Sequence, residues 1–92
     1  MSFPAGPIRT DGNPSGDPDL DMLLKIVAIL RESRLRQGLT LREMTEKMGI
    51  SYAHLSRAER GLTQPGFVVI LRWCKALNVE FGEVWRSVGG GS

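Results

Sequence analysis

The chain is poor in the residues that support metal, redox or disulfide chemistry: 92 residues contain one cysteine, Cys74, and one histidine, His54. One cysteine cannot close an intrachain disulfide, so nothing points to an oxidising compartment. One thiol and one imidazole are too few soft ligands for a zinc site, and neither a metal nor any other cofactor is expected. Cys74 lies among apolar residues and reads as core rather than as a redox sensor. No apolar run approaches the roughly 18 residues that a membrane-spanning helix needs. The N-terminus lacks a basic region followed by an apolar one, so no signal peptide is expected and a cytoplasmic location is the default. A hairpin turn of the asparagine-glycine type is also missing. Ser51, Ser56 and His54 do not form a catalytic triad, and no other convergent acid–base set exists, so an enzyme is not expected.

What remains is an ordinary globular composition, 41% hydrophobic and 24% charged, in a length that allows one domain. A domain of this size buries only about 60–65% of its unfolded surface. The net charge of +2 conceals a division. Residues 1–21 hold Arg9 against Asp11, Asp17, Asp19 and Asp21, whereas residues 22–92 hold eleven basic and six acidic groups. The leader is acidic and the remainder basic, which suits a polyanionic partner without specifying one.

Residues 1–16 contain Pro4, Gly6, Pro7, Gly12, Asn13, Pro14, Ser15 and Gly16, a composition that cannot build an apolar face. The expected organisation is a disordered leader over 1–17, a domain over 18–88, and a flexible tail or cloning scar over 89–92. Helix signals follow one another within the domain. Asp17-Pro18 offers an N-cap and a first-turn proline, with Leu23, Val27, Leu30 and Arg34 at helical spacing up to Gly38. Thr40-Leu41-Arg42-Glu43 is a capping box, with Leu39 placed to staple onto Met44. Gly49 is placed to end that helix in the left-handed region. Ser51 caps a third helix, which Gly61 closes. Pro65-Gly66 opens a fourth, whose apolar face is expected to be Phe67, Ile70, Leu71, Cys74 and Leu77, with Asn78 as its stop. Phe81, Val84, Trp85 and Val88 mark a short fifth helix. The fold class expected is all-α with five helices.

The stretch Leu39 to Gly61 carries the functional signal. Two short helices meet through Gly49, with apolar residues at Leu41, Met44, Met48, Ile50 and Leu55, so that the first can brace the second in a tight corner. The run Gly49-Ile50-Ser51, then Leu55-Ser56-Arg57, then Glu59-Arg60-Gly61 and Pro65 resembles the lambda-repressor-like, or Xre, helix-turn-helix family. Lys75-Ala76-Leu77-Asn78-Val79 is similar to that family's end of helix four. The resemblance spans about residues 20–86 and implies a five-helix domain that binds double-stranded DNA.

The resemblance places Tyr52, Ala53, Ser56 and Arg57 where the family reads base edges. It places Ser51 beside them, with His54 on the same helical end; Thr40 and the basic residues Arg42 and Arg60 are expected with these two at the DNA backbone. Chemically, Arg57 can donate two bonds to guanine and Ala53 can touch a thymine methyl. Arg34 and Glu59 match a partly buried ion pair that ties helix one to the recognition helix. Two positions depart from the pattern. Leu41 stands where the family commonly has a glutamine that binds phosphate, and Ala58 where it often has a large apolar residue, so that packing there is expected to be looser or to be filled by Trp73 or Trp85.

The reading is a transcription regulator, a repressor acting as a homodimer on an inverted-repeat operator in the cytoplasm at the nucleoid. The dimer contacts expected are Phe81, Val84, Trp85 and Val88. The alternative is an antitoxin or adaptor that uses the fold to hold a protein, with the acidic leader as the partner-binding segment.

Overall fold

The computed structural model describes residues 17–90. The expectations for residues 1–16, including a protein partner held by the acidic leader, lie outside the described residues, as do Gly91 and Ser92. Five helices follow in order: α1 (Pro18–Arg36), α2 (Leu41–Met48), α3 (Tyr52–Glu59), α4 (Phe67–Leu77) and α5 (Phe81–Ser87). Among the described residues no strand occurs, and the fold is all-α.

Each of the first three helices begins where a short polar side chain satisfies an otherwise orphaned backbone donor. Asp17 accepts from the Asp19 backbone N–H at 2.9 Å. Thr40 Oγ1 accepts from Glu43 N at 3.1 Å while Glu43 Oε1 accepts from Thr40 N at 2.8 Å, a reciprocal box. Ser51 Oγ accepts from His54 N at 3.1 Å. Helix ends use the left-handed region: Gly49 at φ 71° ends α2 and Asn78 at φ 59° ends α4. Asparagine tolerates this conformation because its short polar side chain can bond locally.

α4 packs on α1 and α2, and α1 also meets α3 and α5. Trp73, Leu30, Met44, Leu55 and Leu77 are the largest fully buried side chains. Burying the Trp73 indole removes ~200 Å² from water, worth about 5 kcal/mol as an upper value. That gain is reduced because its Nε1–H has no partner among the described residues, a loss of about 1–3 kcal/mol. Gln37 Nε2 donates to Leu77 O at 2.9 Å and ties the end of α1 to the end of α4.

Three expectations are corrected. The inward face of α4 is Ile70, Trp73, Cys74 and Leu77, whereas Phe67 and Leu71 are 61% and 42% exposed. The contacts with α1 and α2 rotate the helix about one side chain away from the face that hydrophobicity alone selects. Val84 is only 5% exposed and is spent in the core of its own chain, so it is not available to a partner. Gly89 and Gly90 are not a loose tail: Gly89 lies at φ 92° and Gly90 N donates to Trp85 O at 2.9 Å, closing α5. A Cβ on Gly90 would run into the Trp85 ring, so the glycine is what lets the chain cross it. At Ala58, of the two expected arrangements, the looser one is present: a surface hollow of about 250 Å³ remains, lined also by Leu24, Val27 and Pro65, and neither Trp73 nor Trp85 lines it.

Candidate nucleic-acid interface

Burial divides α3 cleanly. Leu55 and Ala58 are buried. Tyr52, Ala53, His54 and Arg57 are exposed, and Ser56 is half-buried. The same division holds on α2, where Met44, Thr45 and Met48 are buried while Arg42 is exposed. The outward sides of the two helices therefore form one polar surface joined through Gly49. Arg72 of α4 supports the corner from behind, donating from Nη1 to Met48 O at 3.4 Å.

The helix starts of α2 and α3 lie side by side around an open notch lined by Arg34, Thr40, Leu41, Arg42 and Tyr52. The backbone N–H groups of the first turns that the caps do not take, and the positive ends of two helix dipoles, make this edge favourable to an anion. Thr40 and Ser51 use their oxygens to accept cap bonds. Each hydroxyl keeps its own hydrogen and can still donate to a phosphate. The Arg42 guanidinium lies 5.7 Å from the centre of the Tyr52 ring, a cation–π contact across the notch. The pKa of Glu43 is held below the ordinary carboxylate value, first by the Thr40 backbone N–H and then by the Thr40 side chain.

The residues expected to read bases differ in what they offer. Arg57 carries a planar fork with no bonded partner among the described residues, on an exposed position one turn into α3. Arg60 turns back along its own helix, its Nε donating to Ser56 O at 3.4 Å. Leu41 packs against the core, so this position offers no polar group to a phosphate.

Behind the surface, Arg34 and Glu59 meet in bidentate geometry: Nε to Oε2 at 2.8 Å and Nη2 to Oε1 at 3.0 Å. The third guanidinium nitrogen donates to Leu39 O at 2.7 Å. One side chain thus holds the end of α1, the entry to α2 and the end of α3. Arg31 Nε lies 3.7 Å from Glu59 Oε1 on the solvent side. The family resemblance points to the Arg34 pair but not to the Arg31, Arg72 or Arg42–Tyr52 contacts, which link residues apart in the chain without a motif.

Two comparisons bear on this arrangement. A family model described as Helix-turn-helix matches residues 30–84. The transcriptional regulator ClgR of Mycobacterium tuberculosis, found in two strains, is 34% identical over 61 residues, which are 66% of this chain and 54% of the relative. The chain therefore spans about half the length of the curated relatives it matches. No described helix is long and apolar enough to cross a membrane. With its glycine-turned α2–α3 corner, its buried Arg34–Glu59 clamp and a family match over most of its length, this chain belongs to the lambda-repressor-like helix-turn-helix family.

Proposed function

We propose that this chain is a DNA-binding transcription regulator that reads a specific duplex sequence with α3. The observation that carries the reading is the exposed first turn and a half of α3, where Tyr52, Ala53 and Arg57 project from a helix braced behind by α2. An α-helix of this size enters the major groove, and a free guanidinium fits the two acceptors of guanine. Arg42, Thr40, Ser51 and His54 lie around the start of α3 and Arg60 at its C-terminal cap, and these five serve the phosphates. The relative's printed name, a transcriptional regulator, supports regulation as the purpose of binding. Repression needs only that the operator be occupied, which a domain of this size can do at the nucleoid in the cytoplasm. Two copies bound to an inverted repeat would place their α3 helices roughly 34 Å apart, one turn of DNA.

The test is a binding selection on randomised duplex DNA with the parent, Arg57→Ala and Arg42→Ala. Arg57→Ala is expected to cost about 1–3 kcal/mol on the selected site and to relax one base position per half-site. Arg42→Ala is expected to weaken all sequences alike and to shallow the salt dependence by about one phosphate contact. Parent binding that is flat between low and moderate salt would refute the proposal.

A further inference from the structure

The outward side of α4 carries more apolar surface than the other described residues cover. At 100° per residue, buried Ile70, Trp73, Cys74 and Leu77 occupy one arc about 100° wide. Phe67, Leu71 and Val68 fill a neighbouring arc of about the same width. Phe67 and Val68 are each 61% exposed and Leu71 is 42% exposed. Single exposed apolar residues are normal, but a contiguous stripe on a helix whose inner face is already satisfied is not.

The stripe continues beyond the helix. The Phe67 ring meets Phe81 edge-on at 5.4 Å, and Phe81 stacks on Trp85 at 6.2 Å, itself 37% exposed. Beside these rings a groove of about 480 Å³ opens between α1, α4 and α5, with Met22, Ile26, Ile70, Phe81 and Trp85 in its lining and Asp19 as the charged residue there.

We infer that a second copy of this chain covers this face, so that the dimer seam runs along α4 and its groove rather than along α5 alone. The inference rests on the dimeric reading above and supplies its surface. Phe67, Val68, Leu71 and Trp85 leave roughly 350–400 Å² of apolar surface in water, taking 150–250 Å² for a whole aromatic side chain. A standard interface covers about 800 Å² on each partner, of which about 450 Å² is apolar. The four side chains therefore account for most of that share. A two-fold contact must be self-complementary. This face offers a ridge, Phe67–Leu71–Val68, next to a recess of side-chain size. Charge agrees: exposed Lys75 lies on the ridge side of α4, one turn beyond Leu71, and Asp19 lies at the groove. No residue of α2 or α3 lines the groove, so covering it leaves the DNA-facing helices free.

The experiment is sedimentation equilibrium of the full chain, with Val68→Glu/Leu71→Glu and Val88→Ala alongside the parent. The parent is expected to dimerise at micromolar to tens of micromolar concentration. The double variant should raise the dissociation constant at least tenfold; melted well below the parent's dissociation constant, where both chains are monomers, it should match the parent, because both side chains are exposed. Val88→Ala should leave the constant in place. Val68→Cys treated with a short bis-maleimide should give a covalent dimer, while the parent, whose Cys74 is buried, should not; this arm decides the matter if the double variant melts early. A parent that stays monomeric, a double variant that dimerises like the parent, or a Val68→Cys chain that does not cross-link would overturn the inference. So would a parent that is monomeric alone and captures a different protein on this face. A parent that dimerises here without salt-dependent DNA binding would leave the seam standing and remove the DNA reading. A parent that binds DNA only as a monomer would do the reverse.

Discussion

Replacing Glu59 with alanine removes the carboxylate that neutralises a guanidinium from which water is largely excluded. The Arg34 side chain is 9% exposed and that of Glu59 4%. In the variant, Arg34 keeps only its bond to Leu39 O, and Arg31 loses the same counter-ion. Breaking a buried pair from one side costs about 3–5 kcal/mol, because a charge is left uncompensated. A domain of this size holds about 5–10 kcal/mol in total, and each kcal/mol moves its melting temperature by about 4–8 °C. Glu59→Ala is therefore expected to melt about 15–30 °C below the parent in a circular-dichroism scan. Arg34→Ala should be somewhat milder, since Arg31 remains 3.7 Å from the stranded carboxylate. Arg31→Ala should cost no more than about 1 kcal/mol, because that guanidinium is half in water. A melting shift under about 5 °C for Glu59→Ala, or Arg31→Ala as damaging as Arg34→Ala, would refute the account of the clamp.

Other consequences can be measured on the same protein. Gly49→Ala meets nothing closer than 3.8 Å, so its cost is backbone strain alone, about 1–2 kcal/mol, and Gly49→Asn should lose less in the same melts. The Glu43 carboxyl is held below its ordinary value in the folded state, so its stabilisation is present above the carboxylate range and fades as pH falls through the lowered value. Melts of parent and Glu43→Ala across acid pH should thus converge, and a constant gap would exclude the charged box. Burial pushes the Cys74 thiol up, so alkylation at pH 8 should be slow in the native chain and rapid in urea. Equal rates would place the thiol at the surface.

The legible parts of the fold are those decided within four residues. Asp17, Thr40 with Glu43, and Ser51 each bond a donor two or three positions on, so their residue types announce the helix starts. Gly49 and Asn78 announce ends for the same local reason. The face of α4 was not legible. Phe67-Leu71 and Ile70-Trp73-Cys74-Leu77 both satisfy a 3.6 period, and the arcs adjoin; only the positions of α1 and α2 decide which goes inside. The burial of Val84 is hidden for the same reason, because a four-residue helix stripe does not say which member faces its own core.

At the candidate interface, the outward positions of Tyr52, Ala53 and Arg57 follow from Leu55 and Ala58 pointing inward, which the sequence does express. The Arg42–Tyr52 contact and the Arg72 support do not follow from any spacing. Each joins two helices through the tips of long side chains, and tip positions depend on the completed corner.

The inner side of α3 has a consequence for its motion. Only Leu55 and Ala58 are buried there, and the second is a single methyl beside a hollow. The clamp grips the helix at Glu59, its last residue, while the first residues are held by the Ser51 cap. Local opening of a folded chain starts where buried contacts are fewest. The tip of α3 that carries Tyr52 and Ala53 should exchange its amide hydrogens sooner than the base near Glu59. α3 is in this sense a lever pinned at one end: its base fixes the angle of approach, and its tip is left compliant enough to settle against whatever surface it meets.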